Sequence, residues 1–172
     1  PGSFTGVRIG TATIKAMAHA AGKPCAAVST LEALANNVPY FDGIICPILD
    51  ARRNQVYTAE FLGDGTLTRV CEDKAVSLES LLDELKNLKK KVLFLGDGVL
   101  VYREEILEYL GDNAKFAKGN NNLNMAGSVA ELGYEAALSG DTISYAELAP
   151  NYIRLSQAER ERLERKTETK EI

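Results

Sequence analysis

The 172-residue sequence has no tryptophan, one histidine, two methionines and three cysteines. Each shortage closes off a kind of chemistry. A lone His19 excludes metal centres built on several imidazoles and mechanisms that need two histidines. A Ser-His-Asp triad would have to recruit His19 from the middle of an alanine-rich helix, where a packed or surface histidine is the simpler reading. Cys25, Cys46 and Cys71 lie far apart and form no C-x-x-C pair. That argues against a disulfide framework or a zinc knuckle and fits reduced cytosolic thiols buried as small hydrophobes. No apolar run is long enough for a membrane-spanning helix. The formal net charge of -4 argues against unaided nucleic-acid binding, which needs a basic face.

What the chain does have is a glycine-bounded opening, "PGSFTGVRIG", running straight into a helix pattern over 7–21. Thr5 or Ser3 is positioned to cap that helix, and Gly22 with Pro24 ends it. A loop of this kind, here Gly2, Ser3, Phe4 and Thr5, either offers backbone N–H groups to an anion or makes a tight turn into a packed helix. It lacks the Lys-Ser/Thr ending of a Walker loop and does not match G-x-G-x-x-G. In the helix, Gly6, Gly10 and Ala18 share one side at i+4 spacing, interrupted by Ile14. Ala12, Ala16 and Ala20 line another side, and Met17 adds to the apolar cover. Small and apolar residues around most of the circumference predict burial on more than one face and a subunit contact. Arg8 opposes the helix dipole in the first turn, a placement that asks for a carboxylate partner.

Beyond the helix, "CAAVST" predicts a short buried strand, and Ser29 caps a helix, "TLEALANN", with Glu32 at the capping-box position. From residue 43 to about 140 the predicted order is β-β-β-α-β-α-β-α. "GIICPILDAR" is a buried strand, and "QVYTAEFL" alternates like a half-buried one. "GDG" at 63–65 marks a hairpin and "LTRVCEDKAV" a third strand. Ser77 opens an amphipathic helix, and "KVLFLGDG" ends a central strand in a glycine turn. Asp50, followed by Arg52 and Arg53, closes the first of these strands and reads as a turn residue accepting backbone N–H bonds. "AERERLERKTETKE" reads as a charged helix face and a fraying tail.

A meander followed by crossover units resembles the ribonuclease H-like half-domain used twice in actin-like proteins. In that fold the turn at Asp50 faces the interdomain cleft. The resemblance implies an α/β, actin-like, two-lobed fold with the first lobe incomplete in this chain. Residues 1–42 would be the remainder of that lobe, 43–145 the second lobe, and 146–172 a C-terminal segment, helix and tail. More specifically, "PGSFTGVRIG", "LDARRNQVY", "LGDG…Y" and "PNYIR…QAE", in that order, resemble the TsaB (YeaZ) family. The resemblance implies a cytoplasmic, non-catalytic partner of the TsaD subunit in bacterial tRNA threonylcarbamoyladenosine synthesis. TsaE would join the larger complex, and tRNA would be met only through it. A homodimer is the expected state without TsaD. ATP and metal would sit in TsaD, with no cofactor held by this chain alone. The expected partner surface is Gly6, Arg8, Gly10, Ile14, Met17 and Ala18, with loop or cleft contacts at Gly2, Ser3, Phe4, Thr5, Asp50 and Arg52. The residues leave three other classes open: an actin-like ATPase or small-molecule kinase, a metallopeptidase-like protein, which the single histidine opposes, and a homodimeric binding module outside tRNA modification.

Overall fold

A computed structural model describes residues 3–154, so Gly2 and the expected C-terminal charged helix lie outside the described residues. The first element, α1, is Phe4–Ala21. Ser3 caps it, its Oγ accepting from Gly6 N at 3.1 Å, and Gly22 ends it in the left-handed conformation. A six-residue helix, α2 (Thr30–Ala35), starts at Ser29, whose hydroxyl accepts from Leu31 N and Glu32 N. Glu32 does not turn back to close a capping box. Its carboxylate accepts instead from Arg69 at 2.7 Å, because Arg69 also holds Asp73 beside it.

Seven strands build one sheet around β1 (Tyr40–Asp50). The meander continues as β2 (Gln55–Thr58), β3 (Phe61–Asp64), β4 (Leu67–Arg69) and β5 (Lys74–Ser77). Ile48 faces Thr58 and Ile45 faces Phe61, so β2 and the start of β3 run along β1 in one register, which shifts between Ile45 and Phe41 where Phe41 faces Gly63. The expected single strand "QVYTAEFL" is therefore present, and its alternation holds over β2, where Val56 and Thr58 are buried and Gln55 and Tyr57 half-buried, but is lost beyond it. Thr58, Ala59, Glu60 and Phe61 are all buried, since helices cover both faces of the sheet. The expected third strand is interrupted between Arg69 and Lys74, where Val70 N still bonds Glu60 O at 2.8 Å.

The opposite edge of β1 pairs in parallel with β6 (Val92–Leu95), and β6 pairs in parallel with β7 (Ala114–Phe116). The crossovers are α3 (Leu78–Asn87) before β6 and α4 (Gly98–Leu110) after it. Period-two alternation in β1 divides the core. Ile44, Cys46 and Ile48 pack with Leu78, Leu81, Leu82 and Leu85 of α3 and with Ile106 of α4. Ile45 and Leu49 pack with Leu31 and Leu34 of α2, Phe61 and Leu95. The buried carboxylate of Glu60 is paired with Lys74 Nζ at 3.1 Å, which also reaches Glu84 at 2.7 Å. Desolvation lowers the Lys74 pKa, but the bonds to Glu84 and Glu60 outweigh it and hold the ammonium above its ordinary value.

The last described helix is α5 (Ala126–Ser139), after which the chain returns along α1. "CAAVST" does not form a strand: only Cys25 pairs, in an isolated antiparallel bridge with Ile143. With no neighbouring strand beyond that bridge, the backbone of 26–29 has no ladder to join.

Candidate functional site

The expectation that α1 is buried on more than one face fails among the described residues. None of its residues is buried, and neither core cluster includes one. Ile9 and Met17 are 62% and 63% exposed, and Ile14 is 49% exposed. At 100° per residue, Gly6, Ile9, Gly10, Thr13 and Met17 fall on one outward stripe, while Val7, Thr11, Lys15 and Ala18 turn toward the body. A Cβ placed on Gly10 meets nothing within 4 Å. Gly10 therefore does not serve packing inside the described chain, whereas a Cβ on Gly6 would stand 3.1 Å from the capping Ser3 Oγ. Ile9 and Met17 are the exposed large hydrophobics on this stripe among the described residues, with Gly10 and Thr13 between them.

The inward side of α1 lies against the segment 144–154. Phe4 stacks on Tyr152 with ring centroids 4.9 Å apart and 10° between planes. Arg8 Nε donates to the Tyr152 hydroxyl at 2.9 Å, and its guanidinium carbon lies 5.7 and 5.8 Å from the two ring centroids. Halfway along, Lys15 Nζ donates to the carbonyls of Ala146 and Leu148 at 3.1 and 2.9 Å. In the last turn His19 meets Tyr145 with centroids 4.5 Å apart. A groove of about 440 Å³ separates α1 from 26–31 and 148–153, with Val7, Thr11 and Ile14 on one wall and Leu148 and Ile153 on the other.

The second candidate region is where β1 and β6 end. Asp50 Oδ1 accepts from Arg52 N at 2.9 Å and from the Tyr102 hydroxyl at 3.0 Å. Arg52 Nε lies 3.8 Å from the other carboxylate oxygen, on a side chain 88% exposed, so this ion pair is a weak surface contact. Burial first, and then the bond to Asp50, hold the Tyr102 phenol above its ordinary pKa. Asp50 N donates to Asp97 Oδ1 at 3.0 Å, which ties the β1 turn to the "GDG" turn after β6. The glycines there have a packing reason. A Cβ on Gly96 would stand 2.4 Å from Ile48 O, and one on Gly98 2.9 Å from the same atom. The hairpin after Asp50 is strained: Arg52, Arg53 and Asn54 all have left-handed φ, at 65, 55 and 56°. It is held from outside, with Arg154 Nη1 donating to Ala51 O at 2.7 Å and Leu78 N to Asn54 O at 3.1 Å.

Of the residues expected at a partner surface, Gly6, Gly10 and Met17 share the outward stripe, and Gly10 also lines the groove beside Val7, Thr11 and Ile14. Ile14 sits at its border, and Arg8 and Ala18 lie toward the returning segment. Ser3, Phe4 and Thr5 form the start of α1 rather than an open loop. Asp50 and Arg52 are joined to each other but belong to the other region. Sequence reasoning missed Tyr102, Asp97, Tyr152, Lys15 and Arg154. Two quoted motifs hinted at four of them, "LGDG…Y" at Asp97 and Tyr102 and "PNYIR" at Tyr152 and Arg154, and none hinted at Lys15.

A family model described as "TsaD: tRNA N6-adenosine threonylcarbamoyltransferase" matches residues 1–162. The tRNA threonylcarbamoyladenosine biosynthesis protein TsaB of Bacillus subtilis (strain 168) is 39% identical over 160 residues, covering 92% of this chain and 68% of that protein. The chain belongs to the TsaB (YeaZ) family. A protein of the same name from Buchnera aphidicola subsp. Schizaphis graminum is 32% identical over 114 residues, 63% of this chain and 54% of that protein. Among solved structures, an uncharacterized protein similar to peptidase YeaZ, from Pseudomonas aeruginosa, aligns with a TM-score of 0.73 and 25% identity. That match covers 90% of this chain and 70% of the other. YeaZ from Pseudomonas aeruginosa aligns at a TM-score of 0.65 and 21% identity over 88% of this chain and 71% of that one, a likeness of fold. The TsaB membership and the mixed sheet together bear out the actin-like α/β fold read from the sequence.

Proposed function

We propose that this chain takes part in tRNA threonylcarbamoyladenosine biosynthesis as a non-catalytic partner subunit. Its partner in this reading is a TsaD-type catalytic subunit, which carries the ATP and the metal ion. The pair, with TsaE in the larger assembly, makes N6-threonylcarbamoyladenosine at position 37 of tRNAs that read codons beginning with A. The chain works in the cytoplasm and meets tRNA through the complex. Two copies pair through the same helix face when the partner is absent.

The observation that carries the reading is the outward stripe of α1. Gly6 and Gly10 let a partner backbone approach closely, and Ile9 and Met17 supply apolar area on either side. Water covers this surface in the chain alone, and a partner helix would remove it. The strand-end loops support the non-catalytic side of the reading. Asp50 is engaged by Tyr102 and Arg52, and Gly96 and Gly98 are accounted for by Ile48.

Gly10→Leu tests the surface. With nothing within 4 Å of the new Cβ, the substitution fits the fold, and replacing a helix-interior glycine raises helix stability by about 0.5–1 kcal/mol. The expected result is an unchanged or slightly raised melting temperature with co-purification of the TsaD-type subunit weakened tenfold or more. Full co-purification would remove α1 from the interface. A collapsed circular dichroism spectrum would make α1 internal packing.

A further inference from the structure

We infer that residues 144–154 form a clasp that sets the pose of α1, with Tyr152 and Lys15 as positioning residues for partner binding. The inference rests on α1 being the partner face and adds how that face is held.

An 18-residue helix rises about 27 Å, and none of the residues of this one is buried among the described residues. Its attachments are spaced along its length instead. Tyr152 grips the first turns, stacked on Phe4 and hydrogen-bonded by Arg8. Lys15 grips the middle through two carbonyls, and Tyr145 meets the last turn at His19. Beyond the helix, Cys25 and Ile143 exchange two backbone bonds of 2.8 and 2.9 Å, closing that end. At the other end Arg154 fastens the segment to Ala51 O, on the turn that leaves the central strand β1. The clasp thus runs antiparallel to α1 and is pinned to the sheet. Each grip is an exposed or half-buried polar or ring contact, so each is modest, and the helix pose depends on several acting together.

A partner that binds only the held pose sees its apparent affinity scale with the fraction of molecules in that pose. Loosening the clasp should therefore slow association and leave dissociation alone, because contacts in the final complex are unchanged. A defect in the contact face itself does the reverse.

The test uses the full chain and the TsaD-type subunit. Amide hydrogen exchange is measured on the chain alone, and association and dissociation rates on the pair. The variants are Tyr152→Leu with Lys15→Met, Tyr152→Phe, and Gly10→Leu. The double variant should speed exchange of α1 amides at least tenfold while amides of β1 and β6 keep their protection. Its association rate should fall roughly three- to tenfold at a constant dissociation rate. Tyr152→Phe keeps the ring stack and should restore most of both. Gly10→Leu should speed dissociation without speeding exchange of the α1 amides. Unchanged exchange in the double variant overturns the clasp. Faster exchange with unchanged association overturns its positioning role. Gly10→Leu without effect on binding overturns the partner-face reading itself, and the positioning role falls with it.

Discussion

Gly96→Ala separates a packing turn from a ligand-binding turn after β6. Gly96 has φ +101°, a conformation that costs an L-residue about 1–3 kcal/mol. The added Cβ would also sit 2.4 Å from Ile48 O, where an ordinary contact begins about a full ångström further out. That oxygen belongs to a strand paired on both edges, to β2 at Ile48 and to β6 at Pro47, so it has little room to withdraw. Relieving such an overlap in a packed core costs about a further 1–3 kcal/mol. The sum is roughly 2–6 kcal/mol, or a fall of roughly 5–20 °C in melting temperature for a chain of this size. Gly127→Ala is the control: it lies in the first turn of α5 with nothing within 4 Å of its Cβ, and the change should stabilise by up to about 1 kcal/mol. Urea unfolding followed by circular dichroism gives both values, with an unchanged slope expected. Wild-type stability for Gly96→Ala combined with lost function of the complex would refute the packing argument. It would mean the glycine makes room for a ligand.

The strained hairpin gives a prediction of opposite sign. Arg53 is exposed with φ 55°, so Arg53→Gly should relieve more strain than it adds to unfolded-state entropy, a net gain of about 0.5–1 kcal/mol in urea unfolding. A loss of stability would mean the side chain is held by something it binds. For the thiols, burial pushes Cys46 up to about 12, so only about one molecule in ten thousand carries the thiolate at pH 8. Iodoacetamide at pH 8, read by mass spectrometry, should label half-buried Cys71 before Cys46, and Cys46 only after urea is added. Labelling of Cys46 in the folded chain at the rate of a free thiol would contradict the burial.

Much of the second half was legible because its signals are local. Leu78, Leu81, Leu82, Leu85 and Leu88 mark one helical face; the first four are buried, and Leu88, which caps the end of α3, is exposed. Gly63 and Gly65 marked the β3–β4 hairpin, and Gly140 the end of α5. The failures came where distant chain decides. Alternation in β2 and β3 could not reveal that α2 covers the face left for solvent, because α2 lies more than twenty residues upstream. The small residues of α1 suggested burial, yet burial needs a neighbour, and period alone names none. Asp50 was legible as a turn residue from its place before Arg52, but its partners Tyr102 and Asp97 come from another crossover. The clasp was the least legible feature. Lys15 bonds carbonyls, which any residue supplies, and the Phe4–Tyr152 stack joins positions 148 residues apart.

The account's central claim is that this chain contributes a surface rather than a reaction, and a reconstituted tRNA-modification assay with separately purified subunits tests it most directly. Supplied with ATP, magnesium, zinc, a threonylcarbamoyl donor and tRNA, the chain alone should form no product and hydrolyse no ATP above a buffer blank. Added to a fixed amount of the TsaD-type subunit and TsaE, it should raise product formation until it reaches a fixed ratio to that subunit and then have no further effect. Turnover by the chain alone at about one per second, within the ordinary enzyme range, or product formation indifferent to its addition, would contradict the account.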